Sequence, residues 1–177
     1  MFAPKHLGRL ARACSLAAIL VTPLAALADD YADVNQLAKQ GKYGDALAKA
    51  DQYLVAKPRD PQMRFIKGVI QAESGHPAEA IDTYTQLTQE YPELAEPYNN
   101  LAVLYAQQNQ YDKAREALEG AVRANPGYGT AYENLGDVYA KLASQSYAKA
   151  QQLEPANATA ANKLALVRQL LAPPQKR

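Results

Sequence analysis

The sequence is poor in the side chains that carry covalent or metal chemistry. Its 177 residues include one cysteine, two histidines and no tryptophan. A single Cys14 excludes an internal disulfide framework. A one-sided charge is also absent, with 19 basic residues against 18 acidic. Lys5, Arg9 and Arg12 fall in the first 28 residues, which hold no acid. The other 149 residues therefore carry 16 basic and 18 acidic groups, a net charge of −2. Nothing there resembles the basic excess of a nucleic-acid binder. Beyond residue 28 the one histidine is His76, in Gly75-His76-Pro77, and it reads as a solvated turn residue. The sequence holds no nucleophile elbow, no phosphate-cradling glycine loop and no His-Glu-x-x-His zinc motif. No catalytic residue, cofactor or metal is therefore expected.

Residues 1–28 read as a cleaved secretory signal peptide. Lys5, Arg9 and Arg12 form the charged region, and Ala13–Leu24 is the apolar region. Ala26-Leu27-Ala28 supplies small residues at −3 and −1. The apolar stretch stops short of the roughly 20 residues that span a bilayer and contains Pro23. A periplasmic protein, not inserted in the membrane after cleavage, is the expected product. Asn157-Ala158-Thr159 matches a glycosylation triplet and is read as chance in a bacterial setting.

What the sequence does have is a period. Pro58, Pro92 and Pro126 lie 34 residues apart, as do Ala46, Ala80 and Ala114. Gly41, Gly75 and Asn109 keep the same spacing, and so do Gly68, Ala102 and Gly136, and Tyr43, Pro77 and Tyr111. Each register has a physical role. Gly68, Ala102 and Gly136 are small enough for two helices to approach closely. Gly41, Gly75 and Asn109 suit the left-handed residue that ends a helix. The prolines stop the second helix of each pair. Between these marks the apolar residues keep helical spacing, as in Tyr98, Leu101, Ala102 and Tyr105. No stretch alternates like a strand.

This pattern resembles the tetratricopeptide repeat from about Ala32 to Glu154. Tyr98-Asn99-Asn100-Leu101-Ala102-Val103-Leu104-Tyr105, followed by Tyr111, Ala114, Ala121 and Pro126, carries the resemblance. It implies an all-α fold, an α-solenoid of antiparallel helix pairs with about 3.5 units. Units are expected over 27–60, 61–94 and 95–128, with a shortened unit over 129–157. The last is odd, because Pro126 to Pro155 is five residues short of the period. No Gly or Pro interrupts Asp137–Glu154, so one long helix is favoured over a turn near Ser144–Ser146. Asn157 reads as an N-cap, residues 158–171 as a capping helix, and 172–177 as a frayed tail. Tyr84, Tyr98, Tyr105, Tyr132 and Tyr139 are read as core filling. Arg64 stands where a large apolar residue is usual, and Met63 and Phe65 are expected to fill its space.

The resemblance further implies a concave face lined by set positions of each first helix. By register these are Tyr31, Asn35, Ala38 and Lys39 in the first unit, then Gln62, Phe65, Val69, Ala72 and Glu73. The third unit supplies Glu96, Asn99, Val103, Ala106 and Gln107, and the fourth Thr130, Glu133, Asp137, Ala140 and Lys141. Phe65, Val69 and Val103 suggest an apolar strip, with Glu133 and Asp137 at one end. Phe65 could equally turn inward beside Arg64. Relatives that clamp a peptide carboxylate use Lys and Asn at the fifth and ninth positions of the first unit, with further basic residues; here that pair reads Tyr31 and Asn35, and the basic set is absent. The expected function is a non-catalytic adaptor in the bacterial cell envelope, holding a segment of another protein. The alternative is a self-assembling array with end-to-end or cap-in-groove contacts, favoured if Val34 and Leu37 are poorly covered. A hydrolase using Glu133 or Asp137 is the remote third reading, since neither has an evident partner in sequence.

Overall fold

A computed structural model describes residues 25–172, with side chains from residue 30. Among these residues there are eight helices and no strand. They are α1 (Ala25–Lys39), α2 (Tyr43–Ala56), α3 (Pro61–Glu73), α4 (Pro77–Glu90), α5 (Ala95–Gln107), α6 (Tyr111–Ala124), α7 (Gly129–Leu153) and α8 (Ala158–Leu170). The expected leader lies outside the described residues, except that 25–28 belong to α1. The expected tail lies outside them beyond Ala172.

The three predicted turn residues do what their register requires. Gly41, Gly75 and Asn109 have φ of 73°, 83° and 59°. Each sits in the same pair of hydrogen bonds. In the third turn Asn109 N–H donates to Ala106 O at 3.0 Å and Gln110 N–H to Tyr105 O at 2.9 Å. This arrangement satisfies carbonyls at the helix end and turns the chain back on itself. α1–α2, α3–α4 and α5–α6 become antiparallel pairs, and each pair stacks on the next.

The core lies between paired helices. Ala46, Ala80 and Ala114 are fully buried where second helix crosses first. Gly68 allows a close approach, because a Cβ there would lie 2.7 Å from Cε1 of Tyr84. One cluster runs from α4 to α7 through Tyr84, Leu101, Leu118 and Leu135. A smaller one joins Val34, Ala46, Ala50, Met63 and Ile70. Val34 is completely buried, so the expectation of a poorly covered first unit is corrected: α2 and α3 close over it.

Arg64 also departs from expectation. Met63 and Phe65 do not take over its place; the arginine occupies it, 8% exposed. Its guanidinium donates to both Glu90 oxygens, at 2.9 and 3.0 Å, and to Gln86 Oε1 at 3.2 Å. A long side chain can pack its stem and still take its charge to a partner at the edge. The Arg64 hydrogen bonds hold the Glu90 carboxyl below its usual range.

The shortened unit is a single helix, with 144–146 helical and α7 reaching Leu153. α8 folds back on it, and Asn157 caps α8 by accepting from Ala160 N–H at 2.9 Å. Two core expectations fail on α7. Tyr132 and Tyr139 are 51% and 48% exposed, not core. Gly136 permits no close approach, since a Cβ there would meet nothing within 4 Å. The cause is the same for all three: no second helix returns along this half of α7.

Candidate interaction groove

Helical stacking places α1, α3, α5 and α7 side by side, and three depressions run in succession across them. The first, about 230 Å³, lies between α1 and α3 and is lined by Asn35, Ala38, Lys39, Phe65, Val69 and Glu73, among others. The second, about 380 Å³, begins at Val69 and Glu73 and continues to Val103 and Gln107. The third, about 350 Å³, takes over at Val103 and Gln107 and ends at Asp137 and Lys141. Shared walls make them one discontinuous groove.

Twelve of the predicted residues line it: Asn35, Ala38, Lys39, Phe65, Val69, Ala72, Glu73, Val103, Ala106, Gln107, Asp137 and Lys141. Phe65 satisfies both readings of it. Its ring packs on the core at 5.7 Å from the Tyr84 ring, and its outer edge lines the first depression. Gln62, Glu96 and Glu133 are exposed but line none of the three. Asn99 is corrected from groove to interior. It is 6% exposed, and its Oδ1 accepts from Asn134 Nδ2 at 2.8 Å, tying α5 to α7. A buried amide needs such a partner, and the neighbouring helix supplies it.

Tyr31 also leaves the groove. Its hydroxyl donates to Asp60 Oδ2 at 2.7 Å, and Tyr53 donates to the same oxygen at 3.0 Å. Asp60 Oδ1 meanwhile accepts from Met63 N–H at 2.8 Å and so caps α3. Burial pushes the Asp60 carboxyl up, but the Met63 N–H and the two hydroxyls outweigh it, and the net direction is down. Burial, with the same hydrogen bonds, raises the Tyr31 phenol well above its usual range. This cluster joins the first unit to the second and is a structural device.

The groove has residues that register alone did not supply. Tyr84 and Asn100 wall the second depression, with Asn100 Nδ2 donating to the Tyr84 hydroxyl at 3.1 Å. Burial pushes that phenol up to about 12. Tyr111 and Asn134 wall the third. Their signal in the sequence was a packing position that also reaches the surface between stacked units. The charges along the floor are mixed: Lys39, Glu73, Asp137 and Lys141. The acidic end anticipated at Glu133 and Asp137 is thus offset, because Lys141 shares the last depression with Asp137. No group of three or more potential metal ligands occurs among the described residues.

Two family models of the tetratricopeptide repeat match the chain, one over residues 31–95 and one over 71–142. The chain is a tetratricopeptide-repeat protein. A curated relative, the chloroplastic tetratricopeptide repeat domain-containing protein PYG7 of Arabidopsis thaliana, is 38% identical over 73 residues. That match covers 38% of this chain and 24% of the relative, so the likeness concerns a quarter of the plant protein. Among solved structures, MamA superposes with a TM-score of 0.58 at 22% identity, over 78% of this chain and 84% of MamA. The first tetratricopeptide domain of Spaghetti (RPAP3), bound to an HSP90 peptide, gives 0.60 at 17% identity, over 66% of this chain and 92% of that one. At these identities the likeness is one of fold. No helix among the described residues of this repeat protein is long and apolar enough to cross a membrane.

Proposed function

We propose that this repeat protein is a non-catalytic adaptor of the bacterial cell envelope that holds a segment of another protein in the groove across α1, α3, α5 and α7. The observation that carries the reading is the continuity of the three depressions through Val69, Glu73, Val103 and Gln107. A small molecule needs one enclosed pocket, whereas a line of shallow, linked depressions suits an extended or helical segment with apolar anchors. The RPAP3 domain, similar in fold, is bound to an HSP90 peptide, which supports a peptide segment as the occupant. Here the anchors are Phe65, Val69 and Val103, and the flanking charges set polarity at both ends. Of the positions where relatives clamp a terminal carboxylate, Tyr31 replaces the Lys while Asn35 remains, and without the basic set an internal segment is the better occupant.

The envelope address rests on the leader: Lys5, Arg9 and Arg12, then Ala13–Leu24, then Ala26-Leu27-Ala28. Expressed in a Gram-negative host, the protein should appear in the periplasmic fraction with Asp29 as its first residue. Recovery from the cytosol with an intact leader would remove that part of the reading. For the groove, envelope extract is passed over immobilised wild type and over a Val103→Glu variant of unchanged helicity. A protein retained by wild type and lost by the variant supports the adaptor. Equal retention on both moves binding off the groove.

A further inference from the structure

The three depressions of the groove differ in charge. Lys39 and Glu73 both line the first, and Asp137 and Lys141 both line the third, so each holds one charge of either sign. Glu73 is the one charged residue that lines the second. It is exposed and has no ion pair among the described residues. Burial pushes the Tyr84 phenol in the same depression up, Asn100 opposes the rise, and the Glu73 charge adds to it. The middle of the groove therefore carries an uncompensated negative charge.

Around that charge the walls are largely apolar, formed by Val69, Ala72, Val103 and Leu104. An apolar wall leading to a lone carboxylate fits a side chain with a long methylene stem and a cationic tip. Lys and Arg lay such stems along apolar surface while their charge reaches a polar partner. Other occupants fit less well. An acidic side chain would meet Glu73 at like charge. An apolar one would cover the carboxylate without giving it a partner, which costs desolvation. A bare metal ion would find a single carboxylate, and no group of three or more potential ligands occurs among the described residues.

We infer that the second depression is the socket for a lysine or arginine of the bound segment, with its stem against Val69 and Val103 and its charge at Glu73. Apolar side chains of the same segment fill the depressions to either side, one beside Phe65 and Ile66, the other beside Leu118 and Val138. The inference rests on the adaptor reading and names the chemistry of the partner. Packed helices stand about 10 Å apart. The apolar residues therefore lie about three places from the basic one in an extended segment, or about seven in a helical one. Glu73 is then a specificity residue, selecting among segments that the apolar depressions alone would accept.

The probe is a phage-displayed library of random peptides of about 15 residues, long enough for either spacing, selected on the immobilised full chain. The retained peptides should share a Lys or Arg with an apolar residue at constant spacing on each side. One of them is then titrated by fluorescence anisotropy. Changing its basic residue to Glu, or Glu73→Lys in the protein, should each weaken binding about tenfold, and the two changes together should restore it to within about threefold. Glu73 is the last residue of α3, where a cation suits the helix dipole, so Glu73→Lys keeps the fold, which circular dichroism checks. Glu93→Lys makes the same charge change at an exposed site outside the three depressions and should leave affinity unchanged. Equal weakening by both variants overturns the proposal, because net charge then explains it. Retained apolar peptides that share no basic residue and ignore Glu73→Lys overturn the socket and leave the adaptor reading standing. Retention of no peptide overturns both.

Discussion

Residues 98–105 and 132–139 share Tyr, Asn, Leu and Tyr at matching places, yet they end in different environments. Ala102 is 1% exposed beneath α6, while Gly136 at the same register faces nothing. Leu118 is 1% exposed, whereas its counterpart Tyr147 is only half buried. The stretches differ by the turn Ala106–Gln110. In a stacked-helix array an apolar register therefore fixes which face is available for burial. Whether it is buried depends on the chain returning along it.

The largest effect should come from giving the two glycines of that register a side chain. Gly68→Val places a Cβ 2.7 Å from a Tyr84 ring that is itself 1% exposed and cannot withdraw. A loss of about 3 kcal/mol is expected from overpacking. Gly136→Ala should act in the opposite direction, adding about 0.5–1 kcal/mol through helix propensity alone. Chemical denaturation of the pair measures both. Equal destabilisation would mean that α7 is covered within the chain.

The next effect separates Arg64 from Tyr98 and Tyr132, which hold its position in later units. Arg64→Ala removes a buried stem and leaves Glu90 and Gln86 without their donor. About 2 kcal/mol of destabilisation is expected. Arg64→Met combined with Glu90→Gln should recover most of it, since a well-packed apolar residue can replace an ion pair. If the double variant is no better than Arg64→Ala, the charge pair itself was the stabilising element.

Asp60 gives a smaller, pH-dependent effect. Its folded pKa lies below the unfolded value, as does that of Glu90. The stability they contribute is complete above the unfolded carboxylate range and is lost as pH falls through the folded values. Tyr31 and Tyr84 have raised pKa values, so stability also declines above about pH 10, where the unfolded phenols ionise. Asp60→Ala should cost about 1 kcal/mol as a lost helix cap. It should also flatten the acid limb of a stability–pH profile, which Asp60→Asn flattens while keeping the cap.

The period, the helix pairs and the turn residues were legible because each rests on local chemistry: a left-handed Gly or Asn, a stopping proline, a buried alanine. Groove positions were legible where side chains point outward between stacked helices, as at Val69, Val103 and Gln107. Reading failed where a side chain had a choice that only a distant helix decides. Asn99 turned inward because Asn134 waits on α7, and Tyr31 turned to Asp60 across 29 residues. Tyr132 and Tyr139 were misread as core because their register is a core register, and the missing partner helix is a property of the chain's path. Arg64 was misread because residue type suggested a hole, when the stem filled it.

The smallest expected effect on stability is the most informative about the groove. Val103 and Leu104 are neighbours on α5, 39% and 5% exposed. Leu104→Ala removes buried methylenes from the larger core cluster and should cost about 2–3 kcal/mol. Val103→Glu replaces a β-branched residue by a better helix former at a site open to solvent, and should change stability by less than about 0.5 kcal/mol. Val103 also walls two of the three linked depressions, so the same change places a carboxylate midway along the groove. Thermal melts of the two variants side by side test the contrast. If Val103→Glu melts as early as Leu104→Ala, Val103 belongs to the core, and any loss of binding by that variant reports unfolding. If it melts with wild type, a loss of binding reports the groove.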